Sequence, residues 1–379
     1  MLNIDDTFPQ MLSLLEHWVN INTYSKNQEG IERMMTELKK EFLKLQPDEC
    51  EVLHFTKSQG LFLKKRKQAP IQIYFGGHLD TVYPPDQPFQ KLEYLDKHTL
   101  TGPGVTDMKG GLVILLTALD AFEKTKNASS IGWEIFINSD EELGSPESTP
   151  FIESCAERCH LACLFEPALE DGSLVSQRKG SANYMIYSKG RKAHAGRNPF
   201  EGKNAIFPLA RFIQKAEELN SAEQGTLVNV GRVQGGETHN IVPDFAECAL
   251  NVRANELMTM QHIEKQLMDL ATQLGLEFQK ITFRPPKNFD TKTQGLFKAL
   301  GFEAKKLGFS LTWKPSGGVC DGNTFALKGK PAIDTLGVCG GMIHTTKEFL
   351  RIDSLLERAR LTLVFLNAIA SGQLDFEHF

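Results

Sequence analysis

The sequence of 379 residues lacks the features that mark membrane proteins and nucleic-acid-binding proteins. No run reaches the roughly 18 consecutive apolar residues that a membrane-spanning helix requires. Charge of one sign is not in large excess, because 42 Lys and Arg stand against 47 Asp and Glu and the formal net charge is −5. A surface of that balance has no strong field to attract nucleic acid or an anionic membrane. We therefore expect neither as a partner.

Cysteine is sparse, with seven residues scattered along the chain. An odd, scattered set is typical of reduced thiols and not of a disulfide framework. A secretory signal begins with basic residues that are followed by an apolar run, whereas the segment MLNIDDTFPQ is acidic. We therefore expect a cytoplasmic protein. Cys155, Cys159 and Cys163 recur every four residues beside His160. This spacing favours an apolar stripe on a helix over a metal site.

Internal repeats, low-complexity segments and the G-x-S-x-G nucleophile motif are also absent. The missing motif disfavours a serine hydrolase of the α/β-hydrolase type. One basic run, KKRK at 64–67, lies between two apolar segments. We interpret it as an exposed hairpin tip and not as a basic recognition tract.

Short apolar runs alternate with helical patterns in the first half of the chain. IQIYF at 71–75, WEIFIN at 133–138 and LACLF at 161–165 are typical of buried strands, and they alternate with a helix from Gly110 and another after Ser148. Such alternation predicts an α/β domain whose mostly parallel sheet is covered by helices on both faces.

The pattern changes at about residue 180. The order becomes strand, helix, strand, strand, helix, strand, at 181–189, 204–220, 225–234, 244–253, 256–274 and 276–283. This βαββαβ order predicts an α+β ferredoxin-like unit, which closes with the hinge-like segment RPPKN. The α/β pattern then resumes. We therefore predict a catalytic domain of residues 1–178 and 289–379, with an inserted lid domain of residues 179–288.

Acidic and histidine side chains follow the predicted strands of the α/β domain. They are His78 and Asp80 after IQIYF, Asp107 in TGPGVTDMKGG, Glu141 and Glu142 after WEIFINS, Glu166 after LACLF, and His344 after PAIDTLGV. In open α/β sheets, ligands bind in the crevice at the carboxyl ends of the strands. Carboxylates that converge there repel one another unless cations lie between them, and imidazole with carboxylate suits zinc. The sequence therefore predicts a two-metal site.

The motifs around these residues resemble those of a known family. HLDTVY, TGPGVTDMKGGL, NSDEELGS, FEP, KGRKAHAG, SGGVCDGN and GMIH are similar, in this order, to motifs of the co-catalytic zinc exopeptidases and deacylases. That family includes glutamate carboxypeptidase, acetylornithine deacetylase, succinyl-diaminopimelate desuccinylase and aminoacylase, and DTVY and DEELGS most resemble the glutamate carboxypeptidase branch. The resemblance implies hydrolysis of a peptide or N-acyl amide bond next to a free carboxylate. It also implies two zinc ions per chain, which cobalt could replace.

The resemblance implies a role for each residue of the predicted site. Asp107 would be shared by both metals, with His78 and Glu166 completing one set of ligands and Glu142 and His344 the other. Three protein ligands per metal leave an open position for water and substrate. Asp80 would accept the free imidazole N–H of His78, and Glu141 matches the family's general base.

Residues of the predicted lid would contact the substrate. In the family, the histidine that matches His194 reaches the active site of the partner subunit and donates to the oxyanion, so we expect a homodimer formed through the lid. Arg253 and Asn240 are expected to hold the same substrate carboxylate, although an arginine paired at a strand end is the alternative. Gly340 would allow close approach of the substrate backbone. Asp321 matches a family motif but could equally cap the helix after Asn323.

Two other functions remain open. An N-acyl amino acid deacylase, of the acetylornithine deacetylase or succinyl-diaminopimelate desuccinylase type, would share every metal ligand and differ in the substrate pocket. A non-catalytic binding module on the same fold would have no need of a general base such as Glu141.

Overall fold

A computed structural model describes residues 4–373. The α-helices are α1 (Phe8–Val19), α2 (Gln28–Phe42), α3 (Gly110–Glu123), α4 (Thr149–Arg158), α5 (Ile206–Glu217), α6 (Leu257–Leu274), α7 (Thr291–Lys306), α8 (Gly322–Leu327) and α9 (Ile352–Ala370). The strands are β1 (Glu49–His54), β2 (Gln59–Lys65), β3 (Ile71–His78), β4 (Glu93–Asp96), β5 (Thr99–Thr101), β6 (Ile131–Asn138), β7 (Leu161–Leu164), β8 (Leu174–Arg178), β9 (Gly180–Lys189), β10 (Ala193–His194), β11 (Leu227–Gly235), β12 (Ile241–Val242), β13 (Phe245–Ala254), β14 (Glu277–Arg284), β15 (Trp313–Ser316), β16 (Ala332–Ile333), β17 (Gly340–Gly341) and β18 (Phe349–Arg351).

The chain divides into two compact units. The first comprises the described residues of 1–177, 288–316 and 320–379, and the second comprises residues 178–287 and 317–319. The chain enters and leaves the second unit side by side, because the backbone groups of Arg178 and Lys287 exchange hydrogen bonds of 2.9 and 3.0 Å.

The first unit is built on a six-stranded sheet of order β1-β2-β6-β3-β7-β16. The pairs among β6, β3, β7 and β16 are parallel, whereas β1 and β2 add an antiparallel edge. The predicted mostly parallel sheet is therefore confirmed. Its parallel strands place their carboxyl ends at one edge, where His78 lies opposite Asn138.

Both faces of this sheet are buried. On β3, Ile73 and Phe75 belong to a large core with residues of α1, α3, α7 and α9, whereas Tyr74 belongs to a second core with residues of α4 and α8. Side chains of a strand alternate between faces, so each apolar strand contributes to both cores. This is why the strands have continuous apolar sequences without polar alternation.

Two sequence-based interpretations in this unit are wrong. The KKRK segment is not an exposed hairpin tip, because β2 pairs with β6 and not with β3. Its Lys64 bonds Glu134, and Lys65 and Arg66 bond Glu123, at 2.5–2.8 Å. The cysteines do not form one helical stripe either. Cys155 and Cys159 lie at α4 in the smaller core, whereas Cys163 lies on β7 in the larger one.

A second, antiparallel sheet of the first unit was not predicted. Its order is β17-β18-β5-β4, and it joins segments that are far apart in sequence, with Phe349 opposite Thr101. Its strands have only two to four residues. Runs this short have no detectable hydrophobic periodicity.

The second unit has the predicted order, with β9, α5, β11, β13, α6 and β14 in sequence. The four strands form an antiparallel sheet of order β11-β13-β9-β14. One face packs on α5 and α6, with Leu250 and Val252 of β13 in that core. The opposite face has polar residues, including Asn183 and Asn251, which are joined by a 2.8 Å hydrogen bond.

Among residues 4–373, no helix combines the length and apolar character needed to cross a membrane.

Candidate metal centre

The five predicted ligands converge in the first unit. His78, Asp107 and Glu166 place one ligand atom each within 4.8 Å of one another, and Asp107, Glu142 and His344 do the same. Asp107 is common to both groups and lies between them. Within the described residues, no such grouping includes Cys155, Cys159, Cys163 or His160.

Only part of this convergence comes from the parallel sheet. His78 ends β3, and Glu142 and Glu166 follow β6 and β7. In contrast, Asp107 lies between β5 and α3, and His344 lies in the turn between β17 and β18. The expectation that every ligand directly follows a strand of the parallel sheet is therefore wrong for these two. The small antiparallel sheet brings their loops together.

The first ligand group is arranged around a buried imidazole. His78 Nδ1 lies 3.0 Å from the main-chain oxygen of Asp80, and because a carbonyl only accepts, Nδ1 carries a proton. Nε2 faces Asp107 Oδ1 at 3.1 Å and Glu166 Oε2 at 3.8 Å. In a neutral ring, this nitrogen presents its lone pair to carboxylate oxygens. That arrangement is repulsive unless a cation lies between them.

The pKa values of this group reflect the same requirement for positive charge. Burial alone would lower the pKa of His78, but hydrogen bonds with Asp107, Asp80 and Glu166 raise it well above its ordinary value. Burial alone would raise the pKa of Asp107, but hydrogen bonds with His344 and His78 lower it well below its ordinary value. The cluster of carboxylates thus favours a positive charge at the position that Nε2 faces.

The second ligand group is more open. His344 Nε2 lies 3.3 Å from Asp107 Oδ2 and 3.2 Å from Glu142 Oε2. Burial and the charge of Asp107 raise the pKa of Glu142 to about 7. Hydrogen bonds with Asp107 and Glu142 raise the pKa of His344 to about 10. The residue adopts a left-handed backbone with φ of 62°. A non-glycine residue in that region is held by its surroundings.

Asp80 contacts two ligand-bearing loops. Its carboxylate Oδ1 lies 3.4 Å from His78 Nδ1, so the closer acceptor for the ring is the main-chain oxygen and not the expected carboxylate. Its Oδ2 accepts from the backbone N–H of Glu142 at 3.2 Å and from Ser25 Oγ at 2.8 Å. Asp80 therefore links the loop after β3 to the loop after β6.

Asp321 does not cap α8, since its side chain makes no capping hydrogen bond. Instead, its carboxylate accepts from Asn138 Nδ2 at 2.7 Å and from Ser145 Oγ at 2.5 Å. These two residues flank the turn that contains Glu141 and Glu142. Glu141 is buried in that turn and belongs to neither ligand group. The side chain of Asp321 thus holds both sides of the turn that contains Glu141 and Glu142.

Two residues near the site were missed by sequence reasoning. Glu348 is fully buried and accepts three backbone N–H bonds from the loop that contains Asp107. The Tyr83 hydroxyl donates to the carbonyl of Thr345 at 3.0 Å, which links the loop after β3 to the turn of His344. Tyr83 lies in the motif HLDTVY, and Glu348 ends the segment HTTKE, which begins at His344. Their contacts depend on partners distant in sequence, so spacing gave no signal for them.

Gly340 makes a close approach, but to its own chain. A Cβ atom at this position would lie 2.1 Å from the carbonyl oxygen of Phe349 and 2.6 Å from Thr106 Oγ1. The glycine is therefore needed for packing of β17 on β18. Close approach of a substrate to Gly340 stays a prediction.

The predicted substrate-binding residues of the second unit lie at two separate places. His194 is exposed and pairs with Ile241, next to Asn240, whose main-chain oxygen accepts from Ala195. These residues lie beyond Phe245, the first residue of β13. Arg253 is eight residues further along that strand, which corresponds to about 26 Å. Within one copy of this unit the length of β13 thus separates Asn240 from Arg253, and a contact of both with one carboxylate stays a prediction.

Local contacts orient these side chains. His194 Nδ1 accepts from the backbone N–H of Gly196 at 3.1 Å, so a neutral ring carries its proton on Nε2. Asn240 Oδ1 accepts from Thr238 Oγ1 at 2.8 Å. Arg253 donates to Asn251 at 3.0 Å and to the carbonyl of Gly317 at 2.7 Å, which uses two of its five N–H groups.

The chain is similar to known proteins along most of its length. The sequence profile of Peptidase family M20/M25/M40 matches residues 74–368. Carboxypeptidase G2 of Pseudomonas sp. (strain RS-16) is 25% identical over 382 residues, covering 97% of this chain and 91% of that protein. A succinyl-diaminopimelate desuccinylase of Hahella chejuensis (strain KCTC 2396) is 26% identical over 325 residues, covering 80% and 83%. The crystal structure of an M20 family metallo-carboxypeptidase from Sulfolobus solfataricus, 18% identical, matches with a TM-score of 0.76 over 95% of this chain and 99% of that one.

Proposed function

The chain belongs to Peptidase family M20/M25/M40 and is a hydrolase, and we propose that it uses two zinc ions to cleave an amide bond next to a free carboxylate. The bond is a peptide or N-acyl amide bond, cleaved as by a carboxypeptidase of the glutamate type, and the substrate is a small peptide or N-acyl amino acid. The single observation that carries the proposal is the position of the Asp107 carboxylate. Its Oδ1 faces the imidazole of His78, and its Oδ2 faces the imidazole of His344.

The ligand set fits two metal ions. His78, Glu166 and Asp107 would hold one ion, and Glu142, His344 and Asp107 the other. The lone pair of His78 Nε2 points at carboxylate oxygens. A cation between the nitrogen and these oxygens would attract both and so replace their mutual repulsion. Imidazole nitrogen and carboxylate oxygen are both ligands of zinc, and cobalt accepts the same set.

Bound zinc would lower the pKa of a water molecule and polarise the carbonyl group of the substrate. Glu141 would accept the proton that this water loses as it attacks, and then pass it to the leaving amine. Glu141 lies buried in the turn after β6. Asp80 would keep the ring of His78 and the backbone of Glu142 in place through the contacts described above.

The second unit would bind the substrate carboxylate and stabilise the oxyanion. Arg253 retains three N–H donors beyond its two contacts within the second unit, enough for a fork-shaped contact with a carboxylate. His194 would donate from Nε2 to the oxyanion. His194 and Asn240 lie beyond one end of β13 and Arg253 near the other, so about 26 Å of strand separates them within one copy of this unit.

This separation supports a homodimer in which His194 and Asn240 act in the site of the partner. The second unit has surfaces suited to such pairing, since β11 is an edge strand of its sheet. Val233 of that strand, Phe207 of α5 and Met258 of α6 are apolar and exposed. Edge strands and exposed apolar side chains commonly pair with a second copy about a two-fold axis. A cytoplasmic location stays a prediction from composition.

An N-acyl amino acid deacylase is the second candidate. The observation that favours it is the set of relatives described as succinyl-diaminopimelate desuccinylases, which match 80% or more of this chain. Both activities would use the same ligands and the same base. They would differ in the group on the acyl side of the cleaved bond.

A substrate panel tests the proposal. The zinc-reconstituted protein, with its metal content measured, is assayed against α- and γ-glutamyl amides, N-acetyl and N-succinyl amino acids, and dipeptides with a free or amidated C-terminus. We expect hydrolysis that needs the free carboxylate and is lost after chelation. Preference for N-succinyl or N-acetyl amino acids over peptides would favour the deacylase. A metal-loaded protein that cleaves none of them would overturn the proposal.

A further inference from the structure

Glu348 connects the two loops that hold the ligands Asp107 and His344. It lies four residues after His344, immediately before β18, and its side chain is fully buried. One carboxylate oxygen accepts from the backbone N–H groups of Thr106 at 2.7 Å and Asp107 at 2.9 Å. The other accepts from the N–H of Gly104 at 3.0 Å. The loop of Asp107 is thus bonded to the turn of His344 through one side chain.

Further bonds hold Glu348 itself. Its main-chain oxygen accepts from Thr101 Oγ1 at 2.6 Å, and its N–H donates to the carbonyl of Thr345 at 3.1 Å. The same carbonyl accepts from the Tyr83 hydroxyl at 3.0 Å. These contacts tie the loops after β3 and β5 and the turn after β17 into one network. Glu348 therefore lies where the chain segments that contain His78, Asp107 and His344 are connected.

The shared position of Asp107 makes the orientation of its backbone important. Its Oδ1 faces one ligand group and its Oδ2 the other, so a small rotation of the residue would move both oxygens away from their partners. A bond to the N–H of the same residue limits such rotation. Outer contacts of this kind typically change metal affinity 10- to 100-fold when they are removed.

We propose that Glu348 is a positioning residue that fixes Asp107 relative to His344 and thereby sets the affinity of both metal positions. The inference rests on the metal centre proposed above. It concerns the binding of the metal and not the identity of the substrate, so it can be tested without hydrolysis.

Glu348→Gln is the main variant. An amide keeps the size of the carboxylate but replaces one acceptor oxygen by an NH2 donor. This donor would face a backbone N–H, so at least one of the three hydrogen bonds is lost. We expect the dissociation constants for both cobalt(II) ions, measured by competition with a chromophoric chelator, to rise about 10- to 100-fold. The visible absorption bands of bound cobalt should shift as well, since its ligand geometry changes.

Glu123→Gln is the matched control. This carboxylate also lies in the first unit and bonds Arg66, Lys65 and Trp133, but none of its contacts involves a ligand loop. It should lower thermal stability and leave cobalt affinity and spectrum unchanged. Tyr83→Phe removes one hydroxyl from the same network as Glu348 and should weaken cobalt binding by less than Glu348→Gln does.

Glu348→Asp provides the test if Glu348→Gln does not fold. Aspartate keeps the charge but is one methylene shorter, so it cannot reach all three N–H groups, and cobalt affinity should again fall. Unchanged affinity and spectrum in the variant that folds, judged by circular dichroism, would overturn the inference. Failure of the unaltered protein to bind cobalt would instead refute the proposed metal centre.

Discussion

The two units of the molecule hold their candidate functional residues in opposite ways. In the first unit His78, Asp107, Glu141 and Glu166 are buried, Glu142 is half-buried and His344 is exposed. Residues such as Asp80, Asp321 and Glu348 tie their loops together. In the second unit His194 and Asn240 are exposed, and Arg253 is at the other end of a strand. The first arrangement is complete within one chain. We propose that the second becomes a binding surface only with a further copy.

This contrast has a physical reason. Metal ligands have to be preorganised, because several carboxylates cannot be held together without fixed partners and a cation. Groups that bind a substrate have to be reachable from solvent before it binds. The predictions below test the completeness of the first unit and the incompleteness of the second.

The largest effect is expected from Asp107→Ala. Because this residue belongs to both ligand groups, its loss should empty both metal positions and reduce hydrolysis to background. Metal per chain is measured by elemental analysis after zinc reconstitution. Asp120→Ala, a change of a partly exposed carboxylate on α3, should retain two ions. Loss of only one ion in Asp107→Ala would show that Asp107 is not the shared ligand.

Glu141→Gln should separate catalysis from metal binding. The amide cannot accept a proton, so the turnover number should fall by roughly two to four powers of ten while metal content stays near normal. Steady-state kinetics and elemental analysis are compared with those of Glu142→Gln, the neighbouring variant. If Glu141→Gln loses metal and Glu142→Gln keeps it, the two roles are reversed.

Mixing two inactive variants tests whether the second unit acts in its partner. Chains with His194→Ala and chains with Glu141→Gln should each be nearly inactive as homodimers. After subunit exchange, a heterodimer has one site with both changes and one site with neither, so its activity should reach about half that of the unaltered dimer. Heterodimers are identified by mass. Heterodimers without recovered activity would show that His194 does not act across the interface.

Arg253→Lys is expected to have the smallest effect. Lysine keeps the charge but not the fork-shaped set of donors, so kcat/KM for substrates with a free carboxylate should fall roughly 10- to 100-fold. Arg232→Lys is the control, because Arg232 lies on the same sheet and bonds Glu247. Equal losses for substrates with free and amidated carboxyl groups would argue against a carboxylate contact by Arg253.

Much of the fold was predictable from the sequence because its central strands are long and apolar. β3 and β6 were found from runs such as IQIYF and WEIFIN, and the order of elements in the second unit predicted its sheet. The small sheet of β17, β18, β5 and β4 was not found, because strands of two to four residues have no periodicity. The ion pairs of Lys64 and Arg66 were missed for a related reason. Their glutamate partners lie on β6 and α3, and pairing across elements is not visible in local sequence.

The sequence by itself determined the chemical types of the candidate ligands, their order along the chain and the class of fold. Those properties depend on local composition and on the alternation of strands and helices. The tertiary structure decided which side chains hold the ligands in place. Glu348 bonds the N–H of Asp107 across 241 residues, and Arg253 and Asn240 are held apart by the length of β13. Such relations follow from strand register and packing, because a hydrogen bond requires its two atoms to lie within about 3 Å, wherever they occur in the chain.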